Sequence, residues 1–571
     1  MMVFMWCRNF LRAKKKLFLK LVLLTSGVFA FTIILWAGSE KSSTGVNNGI
    51  IQGHLNQNPE KKLYNKQKHR KMELLELGTQ RLVHLDLKGA PPRLSYIKEL
   101  LPRLKEWGAT GLLIEWEDTF PYDGEHLRVV GSFGPDSPGL YSKEEVTEIL
   151  GLAEEHRLEV IPLVQTFGHL EFVLKHDKFR GLREVENFPG SICPTNIESL
   201  TLVQAMLEQV IKMHPSAKTL HIGADEVWHL GVCSMCQAKL ASLGESAKER
   251  LFLDHVTKVL RWLKEKYPHL QLLMWDDMLR HIDPLLLIEY ELGKLVQPMV
   301  WHYRSSKTFQ LSRDLWPMYM KVFDGIWVAT AYKGASGPNI QLPIISMHLD
   351  CQERWLQELQ IQHDRGTLPK ILGIALTGWS RFDHYAVMCE LLPAGIPSLA
   401  LCLAQWQARL FTYEMHRNVS KNLGYSEGQL VPLNPYPPQL SKIPASGFPG
   451  WEARHGIEWF VHLQAKIRSV TEGETAVSWL SSYLAKQNFT NPAHTILLTS
   501  SIPLLLDEIA ALENYLKPAL AKLFPAMSVD EWFGTHLEPQ REQLKQLLQL
   551  AEHQWAVGGR TRNLKILPPF Q

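Results

Sequence analysis

The chain has 571 residues, of which 45% are hydrophobic and 21% charged, a balance that allows a large packed core and excludes wholesale disorder. That length exceeds one ordinary domain, although a single α/β barrel takes up about 250 residues. A net charge of +3, with acids and bases interspersed after the N-terminal segment, excludes the basic face of a nucleic-acid binder.

Arg8, Arg12, Lys14, Lys15, Lys16 and Lys20 come first, and residues 21–39, LVLLTSGVFAFTIILWAGS, carry no charge. About 20 apolar residues cross a bilayer, and a Lys/Arg cluster stays on its cytoplasmic side. The pattern predicts a cytoplasmic tail over 1–16 and a single-pass type II signal anchor over 17–39, with the rest of the chain lumenal or extracellular. The short span favours the thinner Golgi and ER membranes over the cell surface. A cleaved signal peptide fits less well, because the basic leader is long and Leu35 is bulky where cleavage wants a small residue. Asn418 in NVS and Asn488 in NFT are glycosylation acceptors consistent with a lumenal placement. Cys233 and Cys236 in CSMC have the spacing of a redox or metal half-motif; without a second such pair they read as a local disulfide or two inert thiols.

Residues 40–78 are polar and aperiodic, a flexible stem. Across 81–411 eight short apolar runs alternate with amphipathic stretches: RLVHLDLKG, GLLIEWED, LEVIPLVQTFGH, KTLHIGADEVW, LQLLMWDDM, QPMVWHY, GIWVATAYKG and ILGIALTGWSR. Strands alternating with helices pair in parallel through right-handed crossovers, and eight units favour a closed (β/α)8 TIM barrel. The barrel is expected over 79–412, a Pro/Gly-rich linker over 413–450, and a C-terminal helical region over 451–571. Polar and aromatic residues gather at the carboxyl ends of the runs, the end at which such barrels carry their sites.

The fourth run ends in adjacent acids, Asp225 and Glu226. Neighbours on a strand point to opposite faces, so the two cannot face each other across a sugar as an acid and nucleophile pair. The seventh run ends ATAYKGAS, without a carboxylate to serve as partner. A sugar bearing a 2-acetamido group supplies its own nucleophile, the acetamido oxygen. The protein then needs one carboxylate for the acetamido N–H, suited to Asp225, and one acid for the leaving oxygen, suited to Glu226.

The stretch HIGADEVW resembles the His-x-Gly-x-Asp-Glu signature of glycoside hydrolase family 20, the β-N-acetylhexosaminidases, and the other runs are similar too. The resemblance implies a retaining exo-hydrolase of terminal β-linked GalNAc or GlcNAc acting through an oxazolinium intermediate, with no cofactor and no metal. It implies a tyrosine on the acetamido carbonyl, Tyr303 or Tyr332, and an aromatic box of Trp275, Trp301 and Trp379. His169 and His221 match the family and either position the acid or fill the core. An arginine typical of lysosomal members near the end of the first strand is replaced here by Asp86 and Lys88, so the sugar hydroxyls fall to these, to Asp276, or to Arg381 and Asp383. Partners are then N-acetylhexosamine-terminated glycans, with a nucleocytoplasmic location as the alternative to the anchor and self-association as a homo-oligomer left open. Two competing readings are a metal-dependent hydrolase built on His221, His229, Asp276 and Asp277, and a membrane-anchored, non-catalytic sugar-binding barrel.

Overall fold

The structure, a computed structural model, describes residues 77–131, 140–438, 440 and 445–560. Eight parallel strands close into a barrel: β1 Leu77–Asp86, β2 Gly111–Glu115, β3 Glu159–Leu163, β4 Thr219–His221, β5 Gln271–Trp275, β6 Gln297–Trp301, β7 Ile326–Lys333 and β8 Ile371–Gly378. Each of the eight apolar runs supplies one strand. β1 begins at Leu77, so the last two residues of the expected stem belong to the barrel. The basic tail, the apolar span at 17–39 and the rest of the stem lie outside the described residues.

Every position of β2 and β7 is buried, as continuous apolar runs require when a sheet is covered on both faces. Leu82, Leu113, Ile161, Leu163, Leu273, Trp275, Met299, Trp327, Ala329 and Ala375 fill the barrel interior. Above them, toward the carboxyl ends, the filling turns polar, with His84, Glu115 and His221 at most 1% exposed. The site is therefore built on a dry apolar floor.

The segment 413–450 is more structured than a linker. Thr412 caps a helix, Tyr413–Asn422, by accepting the Met415 N–H at 3.1 Å, and Ser420 in that helix accepts the Val431 N–H at 3.0 Å. The Pro- and Gly-rich part after it is irregular, but buries Val431, Leu433 and Phe448. The expected C-terminal helices follow as α1 Trp451–Thr471, α2 Pro492–Leu523, α3 Ala526–His536 and α4 Glu538–Val557. Among the described residues only α2 is long and apolar enough to cross a membrane by length and composition. Its buried Leu498, Ile502, Leu505, Ile509, Leu512 and Leu516 recur at helical spacing and face α1 and α4, as in the centre of a helical layer.

That layer is fastened to the barrel's carboxyl end through α3. Ser528 Oγ donates to the Gly89 carbonyl at 2.7 Å, Trp532 Nε1 to Gln341 Oε1 at 3.2 Å, and Glu531 pairs with Arg381 at 2.5 Å. Trp532 is fully buried, its ring edge-on to Phe460 of α1 at 5.1 Å. Trp532→Ala opens a cavity at this junction and is expected to destabilise the chain by about 3–5 kcal/mol. Urea unfolding checks this. A single transition at lower denaturant is the expected outcome, whereas two separate transitions in the native chain would show the helices folding apart from the barrel.

Candidate active site

β4 is three residues long and stops at His221, and the chain turns sharply into the two acids. Gly223 has φ +62°, and a Cβ there would stand 1.9 Å from Gln165 Oε1, so any other residue would be strained and would displace that side chain. The same Gln165 oxygen accepts the Ala224 N–H at 3.2 Å. Gly168, in the loop after β3, lies so close that a Cβ would fall 2.0 Å from the Asp225 carbonyl oxygen. Glycines in HIGADE and TFGH thus let two neighbouring loops touch backbone to backbone. Asp225 and Glu226 are consequently not on a strand at all, and strand alternation does not govern where they point.

Ala224, Glu226 and His169 adopt left-handed backbone at φ +64°, +45° and +50°. Such conformations cost of order 1–3 kcal/mol each and persist only where surroundings impose them. Here Asp277 Oδ2 accepts the Glu226 N–H at 2.9 Å, fixing that turn. The result brings both acids to one nitrogen: His169 Nε2 is 3.5 Å from Asp225 Oδ2 and 3.3 Å from Glu226 Oε2.

The electrostatics follow from this three-way contact. Burial works against the His169 charge, but Asp225 and the hydrogen bond His169 donates to Glu226 outweigh it and hold the imidazole up at about 10. Burial pushes the Asp225 carboxyl above the usual carboxylate range against the pull of His169, with Asp277, Glu115 and Glu226 adding to the rise. Asp225 Oδ1 is buried and has no hydrogen-bond partner among the described residues. An acceptor of this kind is costly to leave unmatched, and suits a donor on a ligand.

Both acids open into a cavity of about 390 Å³. Its aromatic wall is Trp301, Tyr303 and Trp379: Trp301 stacks on Tyr303 at 5.2 Å, and Tyr303 meets Trp379 edge-on at 6.4 Å. Trp301 Nε1 donates to Asp277 Oδ1 at 3.1 Å, so Asp277 ties the aromatic wall to the Glu226 backbone. Lys88 also lines the cavity, 3.2 Å from Glu117 and 5.9 Å from the centre of the Trp379 ring. Its ammonium stays charged because Asp86, Glu117 and Glu115 overcome the effect of burial. Glu115, on the floor, contacts His84 Nε2 at 3.2 Å and accepts from Gln165 at 3.3 Å. Burial opposes its charge, yet Lys88 and His84 hold its carboxyl below the ordinary range.

Seven of the expected residues therefore share one cavity with Glu226: Asp225, His169, Lys88, Trp301, Tyr303, Trp379 and Arg381. The others do not reach it. Tyr332 is fully buried and donates to the His84 carbonyl at 3.3 Å, leaving Tyr303 as the cavity tyrosine. Trp275 belongs to the barrel floor, 4.5 Å from the His221 ring, and His221 Nδ1 accepts the Gly223 N–H at 3.0 Å. Asp86 accepts the Lys88 and Ser380 N–H groups at 3.0 and 2.7 Å, positioning the lysine from behind. Asp276 is sealed in a two-point pair with Arg280 at 2.6 and 2.7 Å, and Asp383 is exposed and caps a turn through the Tyr385 N–H. Arg381 reaches the cavity with its charge already paired to Glu531.

The four groups of the metal-hydrolase reading do not converge, since Asp276 and Asp277 serve Arg280 and Glu226, His221 is internal, and His229 stacks on Phe188 at 4.5 Å. Asn418 is exposed on its helix, while the Asn488 amide oxygen accepts from Gln554 at 3.1 Å. Sequence reasoning missed Glu115 and Gln165 as site residues, and named Asp277 only as a candidate metal ligand. In WDDM the choice between Asp276 and Asp277 is a matter of one residue of register, and β5 ends at Trp275, just before alternation could decide it.

With this geometry in view, comparison with known proteins is specific. The model of "Glycosyl hydrolase family 20, catalytic domain" matches residues 95–316. "Hexosaminidase D" of Homo sapiens is 38% identical over 471 residues, covering 82% of this chain and 93% of that protein. "Hexosaminidase D" of Bos taurus is 44% identical over 349 residues, covering 61% of this chain and 97% of that protein. A β-N-acetylhexosaminidase structure from Bacteroides fragilis NCTC 9343 is similar with a TM-score of 0.43 at 20% identity, over 57% of this chain and 66% of that one.

The His169 contact is open to direct measurement. NMR of isotope-labelled histidine is expected to show His169 titrating well above an ordinary imidazole in the native chain, and lower in Asp225→Asn, where burial is opposed by one charge fewer. A value that does not move would remove the ion pair from the site.

Proposed function

The chain belongs to glycosyl hydrolase family 20 and is a glycoside hydrolase of the β-hexosaminidase type, and from that premise we propose that it removes terminal β-linked GalNAc or GlcNAc from glycoconjugates by substrate-assisted, retaining catalysis. One observation carries the proposal: two adjacent acids, bridged by a single histidine, open into the same aromatic-walled cavity, and one buried oxygen of Asp225 awaits a donor. The cavity lies near the lower end of the usual range for small-ligand sites, about 300–1,000 Å³, which suits one terminal sugar better than a run of them.

In this mechanism Asp225 accepts the acetamido N–H and aims the acetamido oxygen at the anomeric carbon. Glu226 gives its proton to the departing glycosidic oxygen as the carbonyl oxygen closes the oxazolinium ring. Water then attacks the anomeric carbon from the opened side, with Glu226 now taking the proton, and configuration is retained. Tyr303 donates to the acetamido carbonyl, and Trp301 and Trp379 enclose the methyl and the sugar face. The His169 cation favours the ionised form of Asp225 against burial, which alone would raise the carboxyl's pKa further. Lys88 and Arg381 are the hydroxyl-binding groups. Glu115 also faces the cavity, and as a nucleophile it would act on sugars without an acetamido group; an aryl glucoside that stays intact separates the two routes.

The uncharged run at 21–39 behind six Lys and Arg residues supports a single-pass type II placement with the barrel in the lumen. Protease digestion of sealed microsomes tests it, since a lumenal barrel is degraded only after detergent is added.

Glu226→Gln is expected to lower kcat by roughly 10²–10⁴-fold for glycosides with poor leaving groups and far less for aryl glycosides with acidic ones. Equal losses for both would exclude Glu226 as the acid. The pH profile provides a second check. Asp225 must be ionised, so activity falls as the solution is acidified through its raised pKa; His169 lowers that pKa, and His169→Gln therefore moves the acidic limb of kcat/KM to higher pH. A limb that stays in place would mean that another group controls it.

A further inference from the structure

The expectation of a local disulfide or two inert thiols at Cys233 and Cys236, both of which are free, leaves out what the fold brings beside them. The loop after β3 carries an antiparallel hairpin, Arg183–Val185 and Phe188–Ile192, with Glu184 in its first strand and Cys193 just after its second. The loop after β4 runs from Glu226 to Cys233 and Cys236, at the start of the helix Ser234–Leu243. Cys193 Sγ lies 3.5 Å from Cys233 Sγ and 3.6 Å from Cys236 Sγ, and Glu184 Oε2 lies 3.2 Å from Cys236 Sγ. All four potential ligand atoms fall within 4.8 Å of one another.

These separations are those of a small tetrahedron. A zinc ion bound by sulfur at about 2.3 Å and oxygen at about 2.0–2.2 Å holds its ligands roughly 3.5–3.8 Å apart. The cluster is also electrostatically incomplete. Glu184 is 2% exposed, and no Lys or Arg among the described residues pairs with it. Its Oε1 accepts the Val232 and Cys233 N–H groups, the latter at 3.0 Å, leaving Oε2 turned toward the thiols. The Cys236 N–H donates to Cys233 Sγ at 3.3 Å, an amide-to-sulfur bond of the kind that supports a bound thiolate from outside the ligand shell.

We propose that Cys193, Cys233, Cys236 and Glu184 bind one zinc ion. Thiolates select a soft cation, and four protein ligands leave no open position, so the site is structural and takes no part in the hydrolysis. Binding displaces the thiol protons to solvent, and affinity therefore weakens as pH falls. The ion joins the loop that carries His169 to the loop that carries Asp225 and Glu226. It thereby acts as a positioning device for the contact on which the acids depend.

The test uses the full chain, purified under reducing conditions from zinc-supplemented cells. Elemental analysis is expected to find about one zinc per chain, and Cys193→Ser and Glu184→Ala to lose most of it. Exchange with cobalt gives the strong visible bands of tetrahedral thiolate coordination, a readout independent of activity. Should the variants fail to fold, X-ray absorption at the zinc edge of the native chain decides: three sulfur neighbours and one oxygen are expected, and a shell of nitrogen and oxygen alone overturns the site. Metal-free protein of normal fold, or a disulfide between any two of the three cysteines in peptide mapping, likewise overturns it.

Discussion

Two carboxylates placed next to each other in a buried loop repel, and a single imidazolium between them is what makes the arrangement tenable. His169 is that cation, and the positions of the surrounding parts follow from the need to hold it there. It reaches the acids because Gly168 lets its loop press against the Asp225 carbonyl, and because β4 ends early enough for Gly223 and Ala224 to turn the chain back toward it. The charge balance is local and asymmetric: Asp225 stays hard to ionise, His169 stays charged, and the pair is poised so that removing either changes the other. A strand geometry would have separated the two acids across the sheet. The left-handed turn gives them a common cavity.

The remaining charges at the carboxyl end of the barrel form a second layer with the same logic. Lys88 lies among Asp86, Glu115 and Glu117, and His84 contacts Glu115 from below. Each buried acid in this layer has a cation or a hydrogen-bond donor, whereas Asp225 Oδ1, on a residue that lines the cavity, has none and is placed where a ligand could complete the set. In a low-dielectric cleft this matters more than the number of polar residues, because an unmatched acceptor on the cavity wall discriminates strongly between ligands that bring a donor and ligands that do not.

The barrel was legible in the sequence because its signal is repeated: eight apolar runs, each ended by polar residues, specify eight strands even where each alone is ambiguous. Trp301, Trp379 and the two acids were legible for the same reason, as residues that follow apolar runs, whereas His169 and Lys88 were legible through the family resemblance. Reading failed where a residue's role depends on a contact distant in sequence. Trp275 ends its strand as Trp301 does but lies one layer deeper in the barrel, a difference set by the stagger of the strands, whereas Tyr332 alternates to the outer face of β7, against Gly395 of the helix Leu392–Ala408. Asp277 acts through the Glu226 backbone, 51 residues away, and the thiol cluster joins Cys193 to Cys233 across 40. Neither leaves a local pattern.

The cavity's two sides are held by unrelated means. On the acid side, the loops after β3 and β4 pass into the thiol and carboxylate cluster; on the opposite side, the loop after β8 carries Arg381 and is pinned by Glu531, while His536 of α3 contacts the Met388 carbonyl at 3.2 Å. The barrel strands end below both, so neither wall is fixed by the sheet itself. Long loops above a rigid barrel ordinarily sample many conformations, and the left-handed residues here would relax if released. The acid side is therefore sensitive to the state of its thiols, and the Arg381 side to the packing of α3. In an oxidising lumen three close thiols would pair and leave one over, whereas a bound cation would protect all three and neutralise Glu184 at once. The state of these thiols and the integrity of the acid pair are in this way linked through a cluster that touches neither Asp225 nor Glu226.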